Sequence, residues 1–332
     1  MHHRLHPVFL AKYSVGEELG SGGFGFVVSA KNRSTGMEVA VKFIFREKVP
    51  YHAWVRTDQG VLPMEIYVLK NVNHPNIIRY LDDYQDDRFC YLVMELHGTE
   101  WGPSAITGAP EDRPSPARSP ALSQTLSEDS WASSLEDDYL LSSSPQQQQS
   151  FGRRRTSCDL FECIERHHNF EEPLAKMIFK QIVECVAHLD QLGICHRDIK
   201  DENLVIDDQF KVKLIDFGSS VILPRHYGQA NKTYLFEKFY GTVSFASPEI
   251  LMGKLYRAEP AEIWSLGVLL YTILFGEVPF ADPQAAVAGQ FVQPKIKVSS
   301  KCLHLISCLL EHHPDHRPTI HQILMHPWLR DC

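Results

Sequence analysis

The chain has 332 residues, 44% of them hydrophobic and 22% charged, enough to bury a large core in one or two globular units. Its net charge of -8 argues against a surface built to hold phosphate backbones or acidic lipids, so neither nucleic acid nor membrane is expected as a partner. Nothing at the start, Met1-His2-His3-Arg4 followed by a prolyl, mixed segment, reads as a signal peptide, and no apolar run approaches the roughly 18 residues that span a bilayer. Eight scattered cysteines, Cys90, Cys158, Cys163, Cys185, Cys195, Cys302, Cys308 and Cys332, form no CxxC pair and no metal-like Cys/His spacing. They read as reduced thiols, which points to a cytoplasmic location with the nucleus as the alternative.

Residues 13–46 alternate apolar and polar positions around a glycine cluster and predict three antiparallel strands, Val39-Ala40-Val41-Lys42-Phe43-Ile44 being the clearest. Helical spacing of Leu62, Ile66 and Leu69 predicts a helix from about Gly60 to Lys70. After the break at His74-Pro75-Asn76, strands are expected near 77–84 and 89–95, giving a first lobe of five strands and one helix. From Gly98 to Ser157 the texture turns to Ser, Pro and Gln, with Gln146-Gln147-Gln148-Gln149 and Ser-Pro steps at Ser115, Ser119 and Ser144. Such composition cannot offset its ordering entropy, so the stretch is expected to be a disordered insertion, with a retained intron as the other source of the same texture. Beyond Cys158 the chain is predominantly helical. Leu174, Met177, Ile178, Ile182, Val186 and Leu189 share one apolar face between Pro173 and Gly193, and further helices are expected over about 261–275, 299–310 and 319–326. No internal repeat is present.

The first chemical motif is Gly20-Ser21-Gly22-Gly23-Phe24-Gly25-Phe26-Val27, a GxGxxG between two strands. Glycines let a backbone approach phosphates closely, and Phe24 can cap the tip, but a structural turn or a dinucleotide site competes on this motif alone. The dinucleotide version fails because no helix opens at Gly25. Lys42, on the third strand, can reach nucleotide phosphates, and Glu65 on the helix of this lobe offers it a partner, against the plainer readings of an edge charge and a solvated helix face. The strongest signal is His196-Arg197-Asp198-Ile199-Lys200-Asp201-Glu202-Asn203 followed by Asp216-Phe217-Gly218. Phosphoryl transfer needs a carboxylate near the acceptor hydroxyl, metal ligands for the phosphates and neutralising charge. Asp198 suits the first task, Asn203 and Asp216 the second, and Lys200 the third.

At these residues the chain resembles eukaryotic protein kinases over about 13–329 apart from the insertion. It is more closely similar to the PAS kinase catalytic domain, within the calmodulin-dependent-kinase group, and the insertion after the hinge suits a fungal-type member. That likeness rests on Gly23 to Val28, Lys42-Phe43-Ile44 with Glu47-Lys48-Val49, Val93 to Gly98, Asp159-Leu160-Phe161, His196 to Asn203, Leu214 to Ser219 and Glu262 to Gly267. The resemblance implies an α+β bilobal fold: a small β-rich N-lobe with one main helix and the hinge over 13–97, the insertion over 98–158, and a larger, mostly helical C-lobe over 159–329. It implies ATP as nucleotide with Mg2+, or Mn2+ in its place, bound by Leu19, Gly20, Gly22, Gly23, Phe24, Gly25, Lys42 and Asp216. Val27, Ala40 and Val205 would sandwich the adenine, and the backbone of Glu95 and His97 would meet its edge beside the gatekeeper Met94. His196, Phe217 and Leu69 look like parts of a regulatory spine, although each is equally a core residue.

By the same resemblance Lys200 and Thr242, with Gly241 before Pro248-Glu249, form the serine/threonine pattern, and Glu249 should pair with Arg317. Ser247 and Glu262 stand where alanine and aspartate are usual, and the longer Glu262 side chain can still reach the catalytic-loop backbone. Protein substrates are expected, with arginines upstream of the acceptor if Asp159 and Glu202 pair with them. The enzyme is expected to be monomeric, with a role in metabolic signalling if the family role carries over. Arg153-Arg154-Arg155-Thr156-Ser157 makes Thr156 or Ser157 a candidate phosphorylation site, against a solvated basic cluster offsetting Glu136-Asp137-Asp138. Thr233, Tyr234 and Tyr240 lie in no clear activating context, and the resemblance suggests activity without phosphorylation there. No PAS sensory domain fits before Tyr13. The alternatives are a pseudokinase scaffold, which the intact Lys42, Asp198, Asn203 and Asp216 oppose, and a small-molecule kinase, which Pro248-Glu249, Glu262 to Gly267 and Arg317 oppose.

Overall fold

The alternating segment after Tyr13 folds as expected, and the computed structural model describes residues 3–58, 60–98, 158–223 and 234–330. Strands β1 (Tyr13–Gly22), β2 (Gly25–Asn32) and β3 (Glu38–Phe45) continue through β7 (Phe89–Glu95) and β6 (Tyr80–Gln85) in one antiparallel five-stranded sheet of order β1-β2-β3-β7-β6. Both faces of β3 and β7 are buried, so these central strands read as near-continuous apolar runs. One face meets α2 (Met64–Asn71) through Ile66, Val68 and Leu69. The other is covered by α1 (Pro7–Lys12), whose fully buried Phe9 packs with ring centroids 6.0 Å from Phe43 and 5.1 Å from Tyr91.

Two expectations for this lobe need correction. The helix expected from Gly60 begins at Met64, because Trp54–Thr57 (β4) and Gly60–Pro63 (β5) pair as a hairpin and Pro63 caps the helix. Leu62 is therefore a strand residue, and its helical spacing to Ile66 is coincidental. Nor is α2 alone in the lobe: α1 is too short for a periodic signal, although Pro7 stands at its first turn, where a missing N–H costs nothing.

The second lobe runs α3 (Leu160–His167), α4 (Glu172–Gln191), β8 (Ile194–Cys195), β9 (Leu204–Ile206), β10 (Val212–Leu214), β11 (Val221–Ile222), α5 (Pro248–Leu251), α6 (Ala258–Phe275), α7 (Pro283–Ala288), α8 (Ser300–Leu309), α9 (Ile320–Leu324) and α10 (Pro327–Arg330). Caps follow the sequence: Asp159, Asp282, Ser299 and Thr319 each accept a backbone N–H in the first turn, Thr319 with Gln322 as a full capping box. By length and composition α6 could cross a membrane, so the expectation that no apolar run approaches that length is corrected. Yet 83% of the α6 residues are buried inside the protein, which makes the helix the centre of the C-lobe core. The Ser/Pro/Gln-rich stretch, with Thr156 and Ser157, lies outside the described residues, as does Thr233.

Candidate active site

The glycine motif is the β1–β2 hairpin itself: Gly22 pairs with Gly25 across a turn of Gly23 and Phe24, and Phe24 is exposed at the tip. The glycines divide into two kinds. A Cβ on Gly25 would sit 1.9 Å from the carbonyl oxygen of Phe43, so this glycine is demanded by strand packing. At Gly20, Gly22 and Gly23 a Cβ would meet nothing within 4 Å, so the fold does not require them and the open space remains for a ligand. Gly25→Ala is therefore expected to lower the melting temperature by several degrees. Gly22→Ala should leave it unchanged and raise the KM for ATP several-fold, which paired thermal melts and initial rates will check.

Lys42 stands on β3 opposite Val27 of β2 and Leu92 of β7, pointing to the face covered by α2. Its ammonium lies 2.7 Å from Glu65 Oε1 and 3.1 Å from Asp216 Oδ1. Burial alone would lower the Lys42 pKa, but Asp216 and Glu65 outweigh it and hold the ammonium charged. Burial pushes the Glu65 carboxyl up to about 7 against the pull of Lys42. Burial also works against the Asp216 charge, but Lys42 dominates and holds that carboxyl below its ordinary value.

The catalytic loop follows β8. Asp198 Oδ2 accepts from Asn203 Nδ2 at 2.9 Å, and Oδ1 accepts from the Thr242 N–H at 3.0 Å and its hydroxyl at 3.1 Å. Asn203 also donates to the Asp198 carbonyl, so its amide oxygen faces away from these bonds. Lys200 reaches Glu202 at 2.6 Å. Arg197 and Asp216 have φ of 68° and 60°, the left-handed region that non-glycine residues avoid, so each end of the site carries backbone strain, as do His168 and Phe210 elsewhere. His196 steadies both ends, with Nε2 at 2.9 Å from the Ile215 carbonyl and its ring edge-on to Phe217 at 4.8 Å. Leu69 lies in the same buried core.

Glu262 reaches back under this loop as expected and accepts the Arg197 N–H at 3.1 Å. Burial pushes its carboxyl from 4.5 up to about 7, opposed by the backbone donors Arg197 and His196. A folded-state value above the unfolded one means that this group's contribution to stability is complete below about pH 4.5 and is lost as pH rises through 7. Glu262→Gln is expected to flatten the wild-type loss of stability between pH 5 and pH 8, read as the difference between the two melting curves across that range.

The adenine side is apolar: Ala40 and Met94 are buried, and Val27 and Val205 half-buried. The Glu95 N–H is spent on the Arg79 carbonyl at 3.0 Å and its carboxylate on Lys213 at 2.7 Å. The His97 ring is tied to the Lys211 carbonyl at 2.9 Å. Leu19 is exposed on β1. Among the described residues no three His, Cys, Asp or Glu side chains gather to hold a metal unaided. Asn203 and Asp216 offer an amide oxygen and a carboxylate, the hard oxygen donors that Mg2+ takes, so these two residues would hold such an ion at the nucleotide phosphates.

Two features escaped the sequence reading. Arg197 donates to the Lys238 carbonyl at 2.7 Å and to the Tyr256 hydroxyl, and lies 4.7 Å from the ring centre of Phe236. Asp201 is buried beneath the catalytic loop, its carboxyl pushed up to about 6 by burial and then by the Glu202 and Asp159 charges. Nothing in the spacing of aromatic residues along the chain singles out Phe236 or Tyr256, because the contact is made by folding alone.

Comparison with known proteins agrees with this geometry. The protein kinase domain model matches residues 13–103 and 152–329. A mouse PAS domain-containing serine/threonine-protein kinase is 35% identical over 96% of this chain and 18% of its own length. The Saccharomyces cerevisiae serine/threonine-protein kinase PSK2 is 32% identical over 96% of this chain and 24% of its own length. The chain thus spans only about a fifth of these two relatives. The zebrafish serine/threonine-protein kinase pim-2 is 30% identical over 97% of this chain and 86% of its own length. With the glycine hairpin, the buried lysine pair and the Asp198 loop assembled in one cleft, the chain belongs to the protein kinase domain family, among its serine/threonine kinases.

Proposed function

We propose that this chain transfers the γ-phosphoryl group of ATP to serine or threonine hydroxyls of protein substrates. The observation that carries the reading is the triad in which Lys42 meets both Glu65 and Asp216, since it joins the phosphate-facing strand, the N-lobe helix and the metal-binding aspartate in one arrangement. The hairpin glycines leave room for the phosphates, and Lys42 neutralises them. Asp198 orients the acceptor hydroxyl and takes its proton as the oxygen bonds the γ-phosphorus and the bond to the ADP leaving oxygen breaks. Lys200 offsets the charge on the phosphoryl group in transit. Mg2+, or Mn2+, held by Asn203 and Asp216, would supply further neutralisation at the phosphates when bound.

Thr242, bonded to Asp198, and Lys200 support serine/threonine acceptors, as do the names of the relatives. A preference for upstream arginine is supported by the acidic crowd of Asp159, Asp201 and Glu202, whose mutual repulsion raises the Asp201 pKa after burial. Glu202 reaches Lys200 but stays half exposed, so an incoming guanidinium can compete for it. The reading extends to a monomeric, cytoplasmic enzyme with a role in metabolic signalling. The test is ATP/Mg2+ transfer to a degenerate peptide library: phosphorylated Ser and Thr with upstream Arg enriched are expected, and no transfer, or transfer equal to that of Asp198→Asn, would sink the reading.

A further inference from the structure

The two halves of the active site are carried by different lobes, and the ring pairs that join them outside the cleft include one beside the catalytic loop. The rings of His52 and Tyr240 meet at a tilt, with centroids 4.9 Å apart and planes 34° apart. His52 belongs to the short turn Tyr51–Ala53 at the entrance to the β4–β5 hairpin. Two residues on, Trp54 pairs across that hairpin with Pro63, the cap of α2, and Glu65 follows in the first turn of the helix. The path from the His52 ring to the Glu65 carboxylate is thus one rung of a sheet and half a turn of helix. The indole N–H of Trp54 donates to the Val49 carbonyl at 3.3 Å and fixes the turn in place.

On the other side Tyr240 is held to the catalytic loop at several points. Its ring centre lies 5.6 Å from the Arg197 guanidinium, and its carbonyl accepts the Ser219 hydroxyl at 3.3 Å, just after Asp216-Phe217-Gly218. The next residue, Gly241, lies so close to the loop that a Cβ would sit 2.7 Å from the Arg197 carbonyl oxygen, and Thr242 then grips Asp198. Tyr240 therefore sits on backbone that cannot shift without moving Asp198, and His52 on backbone that cannot shift without moving Glu65.

We propose that His52 and Tyr240 are positioning residues: their ring contact couples the segment that holds Asp198 to the helix that brings Glu65 to Lys42. Partial desolvation, then the neighbouring Arg197 and Lys238 charges, lower the His52 pKa and favour the neutral imidazole. The proposal rests on the phosphoryl-transfer reading but predicts something that reading does not, an energetic link between two residues that touch no substrate.

The test is a double-mutant cycle on the full chain with ATP, Mg2+ and an unphosphorylated acceptor peptide selected from the library. His52→Ala and Tyr240→Ala are each expected to lower kcat about fivefold, the order of one aromatic pair. The double variant should fall no further, the peptide KM should stay within about twofold, and His52→Phe and Tyr240→Phe, which keep the rings, should retain most of the activity. His52 is exposed, so its truncation leaves the core intact and carries the test alone if Tyr240→Ala does not fold. Wild-type kcat in His52→Ala, or losses that multiply in the double variant, would overturn the proposal. Hydrogen exchange over residues 64–71 needs no turnover: faster exchange in His52→Ala supports the coupling even if the wild-type chain transfers no phosphate, and unchanged exchange refutes it.

Discussion

Asp198→Asn is expected to lower kcat about a thousandfold while the KM for ATP stays within about twofold. The reason is the division of labour between the two carboxylate oxygens. Oδ1 is held by the N–H and hydroxyl of Thr242, and an amide oxygen in the variant can accept both of these bonds. Oδ2 accepts from Asn203, and the variant gives up that one bond while Asn203 keeps its bond to the carbonyl of residue 198 and its own oxygen stays turned away from the loop. The loop thus keeps its shape and the variant should melt with the wild type, but an amide cannot take the acceptor's proton. Lys42, Glu65 and Asp216 are untouched, so nucleotide binding persists. Single-turnover rates with nucleotide titration in parallel separate the two quantities. Turnover within tenfold of the wild type would mean that Asp198 is not the base and that the transfer chemistry runs through another group.

The parts of the site that were legible in the sequence are those where chemistry fixes residue type and spacing at short range. His196 to Asn203 is one loop, and its side chains find their partners within a few residues: Asp198 meets Asn203, and Lys200 meets Glu202. The Lys42 partnership with Glu65 was also readable, because Lys42 falls on the face of its strand that α2 covers. Local patterns failed where two elements compete for the same residues. Leu62, Ile66 and Leu69 carry helical spacing, yet the first belongs to a hairpin whose strands are only four residues each, too short for alternation to show. The same holds for α1, whose single buried ring draws its weight from Tyr13, Phe43, Tyr84 and Tyr91 on four strands. The aromatic surround of Arg197 and the His52 contact with Tyr240 were invisible for a related reason, as each joins residues far apart in the chain with no periodic relation between them.

The second large effect concerns the buried ion pair that ties α5 to the end of the C-lobe. Arg317 has a fully buried side chain whose Nη1 and Nη2 each meet a carboxylate oxygen of Glu249 at 2.8 Å. The same guanidinium donates to the carbonyls of Pro260, His312 and Glu311 and lies 5.1 Å from the Trp264 ring centre. Such a pair is weak evidence of net stabilisation while intact, but removing one member strands the other charge in the core at a cost of about 3–5 kcal/mol. Arg317→Met is therefore expected to lower the melting temperature by about 10 °C. Arg317→Lys should recover little of it, since an ammonium cannot span two carboxylate oxygens and three carbonyls at once. The decisive comparison is Arg317→Met with Glu249→Gln: removing the stranded charge should restore part of the loss, whereas a simple packing defect would make the double variant worse. The pH dependence follows with a definite sign. Burial pushes the Glu249 carboxyl up, but Arg317 outweighs it and holds the value below 4.5, so in the wild type this group's stabilisation is present above that pH and lost as pH falls below it. Without Arg317 only burial remains, the carboxyl takes up a proton well above its ordinary value, and the cost of its charge disappears on acidification. The gap in melting temperature between wild type and Arg317→Met should accordingly narrow from pH 8 to pH 5, and a gap that stays constant would show that Glu249 does not titrate in the variant and that the loss comes from the carbonyl contacts instead.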